Sequence, residues 1–159
     1  MMNRSISLFC AALIIFISSP AFAWEARVVD VIDGDTITVE PISGGKRTKI
    51  RLHGIDAPES RQNFGQAAKA FVNKQVLFKE VDIQETMTDR YNRTVAIVNY
   101  DDTTLQERLI ENGYAWVWVK YCKNCKDWLA LEKKAVKAKK GLWQENKPVA
   151  PWIWRRKNK

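Results

Sequence analysis

Between residues 25 and 55 the sequence turns back on itself twice within the length of three short strands. Ala26-Arg27-Val28-Val29-Asp30-Val31 runs into the tight turn Asp33-Gly34-Asp35, and Thr36-Ile37-Thr38-Val39 leads away from it. Ser43-Gly44-Gly45 predicts the next turn. Residues 48–55 then read as a third strand, with Ile50, Leu52 and Gly54 on one face and Arg51, His53 and Ile55 on the other. Asp56-Ala57-Pro58-Glu59 ends it, because proline cannot donate to a strand ladder.

The rest of the chain adds helices to this meander. Residues 66–74 read as a short helix with Ala67, Ala70 and Phe71 inward. Residues 76–83 and 94–100 read as two more strands, and residues 104–112 as a helix closed by Gly113. Residues 124–140 form the longest expected helix. Asn124 caps it, Asp127 suits its first turn, and Trp128, Leu131, Ala135 and Ala138 make an apolar stripe that Leu142 continues past the stop at Gly141. Five strands with a helix between the third and fourth is the order of an OB-fold, so the expected class is mainly β with helices (α+β), built on a five-stranded barrel. A length of 159 residues fits one such domain. It is expected over residues 24–147, followed by a basic, aromatic C-terminal tail over residues 148–159.

Residues 1–23 read as a secretory signal peptide: Arg4 supplies the positive start, residues 8–17 the apolar run, and Pro20-Ala21-Phe22-Ala23 the cleavage site. The run is short for a membrane span. The expectation is export to a periplasm or the medium, with no stable membrane association afterwards. Of the three cysteines, Cys10 leaves with the signal. Cys122 and Cys125 remain, in an oxidising compartment. Cys-Lys-Asn-Cys lacks the βαβ context of a thioredoxin-like redox pair, so a local disulfide or two plain thiols is the better reading.

The chain has a single histidine, His53, which excludes paired-histidine zinc sites and HExxH chemistry within it. Any metal site must be mainly oxygen, and a general base is expected to be a carboxylate. With 26 Lys+Arg against 18 Asp+Glu the chain carries a net charge of +8. The positive charge concentrates from Lys120 onward and the carboxylates between Trp24 and Val119. A basic surface attracts polyanions, although charge runs are more often simply solvated faces.

Four acidic residues, Asp33, Asp35, Asp56 and Glu59, sit at turns or strand ends. Arg51 lies within the third strand and Arg93 in Asp89-Arg90-Tyr91-Asn92-Arg93. Singly, each has an ordinary structural explanation. Together, three blocks resemble the signatures of the staphylococcal (micrococcal) nuclease family, the thermonucleases: Ile32-Asp33-Gly34-Asp35-Thr36, Arg51-Leu52-His53-Gly54-Ile55-Asp56-Ala57-Pro58-Glu59, and Asp89 through Arg93. The resemblance runs over about residues 26–143. It implies an OB-fold barrel and a Ca2+-dependent phosphodiesterase acting on DNA and RNA, with 3′-phosphate products. Asp35 and Asp56 match the family's calcium carboxylates, and Ala57 a backbone-carbonyl ligand. Glu59 matches the proposed general base, Arg51 and Arg93 the catalytic arginines, and Tyr91 a position near the bound phosphate. Asp33 falls beside the metal.

These residue types suit that chemistry. Calcium takes oxygen ligands, a carboxylate can take or orient the proton of a water, and arginine forks match phosphate oxygens while staying charged. Ala57 stands where some members have a hydroxyl residue, but a carbonyl survives any side chain. Asn92 stands where glycine is common and tolerates the left-handed conformation. Tyr121 could stack on a base or contact a phosphate, whereas Trp116 and Trp118 read as core. Trp152-Ile153-Trp154-Arg155-Arg156 interleaves aromatic and basic residues as single-strand binders do, with Trp152 more simply packed on the barrel. A monomer is expected. The competing reading is a catalytically silent OB-fold module that binds nucleic acid or another polyanion, and Glu59→Gln separates the two.

Overall fold

The structure is a computed structural model that describes residues 23–158. Apart from Ala23, the expected signal peptide lies outside the described residues. Three strands open the fold: β1 (Ala23–Val31), β2 (Thr36–Pro41) and β3 (Thr48–Leu52). A two-residue strand β4 (Ile55–Asp56) and helix α1 (Gly65–Val76) follow, then β5 (Glu80–Thr88) and β6 (Thr94–Tyr100). The rest comprises β7 (Thr103–Thr104), α2 (Leu105–Glu111), β8 (Trp116–Val117), α3 (Lys126–Lys137) and α4 (Pro151–Lys157).

β1 pairs antiparallel with β2 and β5, β2 with β3, and β5 with β6. A parallel pairing of β3 with β6 closes the ring, with Arg51 opposite Val95. The result is the expected five-stranded, OB-like barrel with helices around it. Alternate residues fill its interior: Ala26 and Val28, Ile37 and Val39, Ile50 and Leu52, Val81 and Ile83, Ala96 and Val98 are all buried. A register shift between Val28 and Asp30 lets Val31 point inward as well. α2 contributes Leu105, Leu109 and Ile110 to the core and starts with a capping box between Thr104 and Glu107. That cap is worth about 1 kcal/mol, and each fully buried Leu or Ile about 1.5–3 kcal/mol.

Several element boundaries differ from the sequence reading, each for a local reason. The third strand stops at Leu52, because Gly54 adopts φ 68° and resets the alternation, so Ile55 turns into the core and pairs with Val117 of β8. The first helix runs on to Val76, with Ala68, Val72 and Val76 as its buried stripe; Ala70 is exposed and Ala67 and Phe71 only half-buried. The fourth barrel strand therefore begins at Glu80. α3 starts at Lys126 behind Cys125 rather than Asn124, equals α1 in length, and leaves Ala138 exposed. Trp116 and Trp118 are half-buried in an aromatic cluster with Trp143 and Trp152 rather than within the core.

Candidate active site

The site is built where the turn between β1 and β2 meets β4. Ile32 N–H donates to Thr36 O at 2.9 Å to close the turn, and Asp35 N–H donates to the Asp33 carboxylate at 2.9 Å. Gly34 packs so closely under the site that an added Cβ would lie 2.7 Å from those of Ala57 and Ala68. Asp35 immediately precedes β2 and is buried, and its Oδ2 accepts the Ala57 N–H at 2.7 Å. Asp56 closes β4 and is fully buried. Arg51, reaching out from β3, joins the two carboxylates. Its Nη2 lies 3.1 Å from Asp35 Oδ2 and 3.0 Å from Asp56 Oδ1, and its Nη1 donates to Leu52 O at 2.8 Å. Arg51 is thus held on three sides.

Glu59 follows in the loop between β4 and α1. Its N–H donates to Gln62 Oε1 at 3.2 Å and its carbonyl accepts the Gln62 N–H at 2.8 Å. The loop returns so tightly that a Cβ on Gly65 would stand 1.9 Å from Glu59 O, so only glycine fits there. The segment read as a tail forms α4, which lies across this loop and turns Arg155 inward instead of leaving it for solvent-side binding. Arg155 Nη1 donates to Glu59 Oε1 at 2.6 Å and Asp56 Oδ1 at 3.1 Å, and Nη2 to Asp56 Oδ2 at 2.8 Å. Sequence reasoning missed this residue. The only signal was its place three residues after Trp152, on the same helical face.

A cleft of about 290 Å³ opens beside the cluster, lined by Arg51, Arg93, Tyr91, Trp118 and Tyr121 among others. Arg93 precedes β6 and is fixed by Asp89, whose Oδ2 accepts its Nε–H at 2.8 Å while Oδ1 accepts the N–H groups of Arg93 and Tyr91 at 2.9 and 2.8 Å. Asn92 takes φ 57°, the left-handed conformation its turn requires. The Arg90 and Arg93 guanidiniums lie 4.8 and 5.5 Å from the Tyr91 ring, which is largely exposed. Tyr121 packs edge-on against Trp118 and keeps nearly half its surface exposed. The structure therefore brings Asp35, Asp56, Arg51 and Glu59 into one hydrogen-bonded cluster, with Ala57 behind it. Arg93, Tyr91 and Tyr121 stand along the cleft that Arg51 shares.

Electrostatics set the cluster apart from the rest of the surface. Burial, reinforced by the neighbouring charge of Asp35, pushes the Asp33 carboxyl up to about 6. Burial likewise pushes Asp56 up to about 6, because the hydrogen bond from Arg155 and the charge of Arg51 only partly offset it. Burial disfavours the charge on Arg155, but the hydrogen bonds and charges of Asp56 and Glu59 outweigh it and hold the guanidinium protonated more firmly than usual. Asp89 goes the other way: burial raises it, yet the hydrogen bonds from Arg93 and Tyr91 bring it below the ordinary carboxylate range.

Whether the residues suit a divalent cation can be judged from the donors. Among the described residues no three His, Cys, Asp or Glu side chains form a ready-made metal cage. The acidic side chains at the site offer oxygens only, and positive groups already sit on them: Arg51 Nη2 bridges Asp35 and Asp56 at about equal distances, and Arg155 takes both Asp56 oxygens. Asp35 and Asp56 are the two side chains whose oxygens would hold a hard cation here. On the far side of Gly54, Cys122 and Cys125 are buried and paired, with Cα atoms 5.7 Å apart.

Comparison with known proteins gives a consistent picture. An uncharacterized endonuclease of Haemophilus influenzae is 37% identical over 162 residues, covering 100% of this chain and 89% of that protein. A micrococcal nuclease of Shigella flexneri is 34% identical over 160 residues, covering 94% and 91%. A probable staphylococcal-like nuclease of Oryza sativa subsp. japonica is 38% identical over 111 residues, covering 70% of this chain and 33% of that protein. A family model described as staphylococcal nuclease homologue matches residues 49–145, a span that includes Arg51, Asp56, Ala57, Glu59 and Arg93 and leaves Asp35 and Arg155 to be placed by the fold. With that match over more than half its length, on an OB-like barrel that gathers the motif residues at one site, the chain belongs to the staphylococcal nuclease family.

Proposed function

We propose that this chain is an exported, calcium-dependent nuclease that hydrolyses phosphodiester bonds of DNA and RNA and leaves 3′-phosphates. The observation that carries the reading is the single cluster in which Arg51 joins Asp35 to Asp56 while Glu59 stands within a shared hydrogen bond of Asp56, beside a cleft that Arg51 and Arg93 both line. Family membership and the nuclease relatives support hydrolysis of nucleic acid. Export rests on the N-terminal sequence alone.

Each residue then has a role set by its chemistry. Arg51 and Arg93 receive the oxygens of the scissile phosphate, where fixed guanidiniums are worth most as charge accumulates in the transition state. Removing one such donor commonly costs about 100-fold or more in turnover. Glu59 accepts or directs the proton of the attacking water, the part a histidine would otherwise play. Tyr91 and Tyr121 border the cleft and contact the nucleotide. Asp35, Asp56 and the Ala57 carbonyl would hold calcium, which when bound polarises the phosphodiester and offsets its charge. Asp33 fixes the Asp35 backbone from outside that set. The Cys122–Cys125 pair is assigned a structural part and the chain is read as a monomer.

The test uses the protein starting at Trp24. Single-stranded DNA is incubated with it in calcium or in chelator, beside Glu59→Gln. Cleavage that needs calcium and falls by at least about 100-fold in the variant is the expected result. Tight binding without cleavage in either condition would instead assign a silent polyanion-binding module.

A further inference from the structure

We propose that Arg155 is a positioning residue of this active site: delivered by α4, it holds the Glu59 carboxylate against Asp56. The proposal rests on the reading of Glu59 given above and adds the C-terminal helix to the catalytic unit.

Among the described residues, Arg155 is the one hydrogen-bond partner of the Glu59 side chain. Its Nη1 is shared between Glu59 Oε1 at 2.6 Å and Asp56 Oδ1 at 3.1 Å, and its Nη2 takes Asp56 Oδ2 at 2.8 Å. One planar fork thus fixes the separation and orientation of two carboxylates from different segments, β4 and the loop after it. Only a guanidinium has that geometry. A glutamate on a surface loop otherwise samples several rotamers, and a proton acceptor misplaced by about 1 Å loses much of its effect.

The helix that carries Arg155 is itself fixed on the site. Pro151 is buried at its start. Trp152, one turn before Arg155, stacks on Trp118 with planes 10° apart and centroids 5.7 Å apart, and meets Trp116 edge-on at 5.9 Å. The Arg155 guanidinium lies 5.5 Å from the Trp118 ring. Gln62 ties both partners together: its Oε1 accepts the Glu59 N–H at 3.2 Å while its Nε2 donates to Val149 O at 2.5 Å. Asn63 adds a bond to Glu145 at 2.7 Å. Loop and helix are therefore one braced unit. Of the three basic residues in the last turn of α4, Arg156 and Lys157 are exposed and Arg155 alone is turned toward the carboxylates.

A double-mutant cycle in kcat, with KM measured alongside, tests the proposal on single-stranded DNA in saturating calcium. The proteins are Arg155→Gln, Arg155→Lys, Glu59→Gln and the double glutamine variant, with calcium affinity followed by calorimetry. Arg155→Gln is expected to lower kcat by about 10- to 100-fold with KM within about threefold. Arg155→Lys should recover part of the loss, since an ammonium reaches one carboxylate but not both. The double variant should be no slower than Glu59→Gln, because Arg155 acts through that carboxylate. Losses that add would assign Arg155 its own contact with the substrate and overturn the proposal. Faster cleavage with tighter calcium binding in Arg155→Gln would make α4 a plug and overturn it too. Unchanged kcat in both Arg155 variants, beside a slow Glu59→Gln, would overturn it while leaving the site reading intact. Full turnover in Glu59→Gln would instead remove the site reading. If Arg155→Gln does not fold, the lysine variant carries the cycle.

Discussion

The Asp35 carboxylate accepts the backbone N–H of Ala57 at 2.7 Å, a bond that ties the start of β2 to the residue after β4. The same Oδ2 atom faces Arg51 at 3.1 Å. Asp35 is thus a structural acceptor and a candidate cation ligand at once, and two substitutions separate the roles. Asp35→Asn keeps an oxygen for the Ala57 N–H and should change stability by no more than about 1 kcal/mol, while abolishing the calcium response. Asp35→Ala leaves a buried N–H without its acceptor and should cost about 1–3 kcal/mol in addition. Urea denaturation and calcium titration read the two effects. A calcium response that survives in Asp35→Asn would remove Asp35 from the ligand set.

Protonation of Asp33 gives a pH signature. Its carboxyl is raised in the fold from 3.8 to about 6, by burial first and by Asp35 second. The native protein then holds a proton that the unfolded chain has released, so this group's contribution to stability falls as pH rises from about 4 through about 6. Asp33→Asn retains the oxygen that accepts the Asp35 N–H and removes the titration. In chelator, the melting temperature of Asp33→Asn relative to the parent should therefore climb across that window and level off above it. The gain at neutral pH should be roughly 3 kcal/mol. A difference that stays flat from pH 4 to pH 7 would show that Asp33 ionises normally.

The barrel was legible because its information is local and periodic. The pairs Ile37 and Val39, Ile50 and Leu52, and Ala96 and Val98 alternate, and all six are buried. β6 was bounded from sequence by the same alternation. The site's carboxylates and arginines were legible as family motifs rather than from pattern, since a DGD turn and a mid-strand arginine are each common. What escaped is non-local. The positive φ of Gly54 turns Ile55 into the core, and nothing in a two-residue period signals a reset. Val76 reads equally as a strand start or as the next step of a helical stripe from Ala68 and Val72, and only packing decides. Arg155 lies 96 residues from Glu59 along the chain, so its role was visible only once α4 was docked.

Cys122 and Cys125 should matter to stability and not to turnover. Both are buried, and Cys122 backs onto Gly54, where an added Cβ would lie 2.9 Å from its Sγ. A link across so short a loop restrains the unfolded chain only modestly, by about 2 kcal/mol at most. Changing both to Ser should lower the melting temperature by several degrees, with kcat within about twofold of the parent's at a temperature where both are folded. A large loss of kcat in the folded double variant would show that the pair shapes the cleft, whose wall includes the adjoining Gly54 and Tyr121.

Trp152 tests how the last helix is attached, apart from what Arg155 does once there. Its ring stacks on Trp118 and meets Trp116 edge-on. Each aromatic contact is worth about 0.5–1.5 kcal/mol beyond its buried area. Trp152→Ala should therefore cost about 2 kcal/mol in urea denaturation, and tryptophan emission should shift to the red as Trp118 gains water. Trp152→Phe keeps a ring on Trp118 and should recover more than half of that loss. If the stack carries the docking, turnover in Trp152→Ala should fall toward that of Arg155→Gln, because the guanidinium is no longer delivered to Asp56 and Glu59. Stability and emission unchanged in Trp152→Ala would mean that Pro151, Gln62 and the Arg155 ion pairs hold α4 by themselves. In that case Arg155→Gln should be the variant that releases the helix.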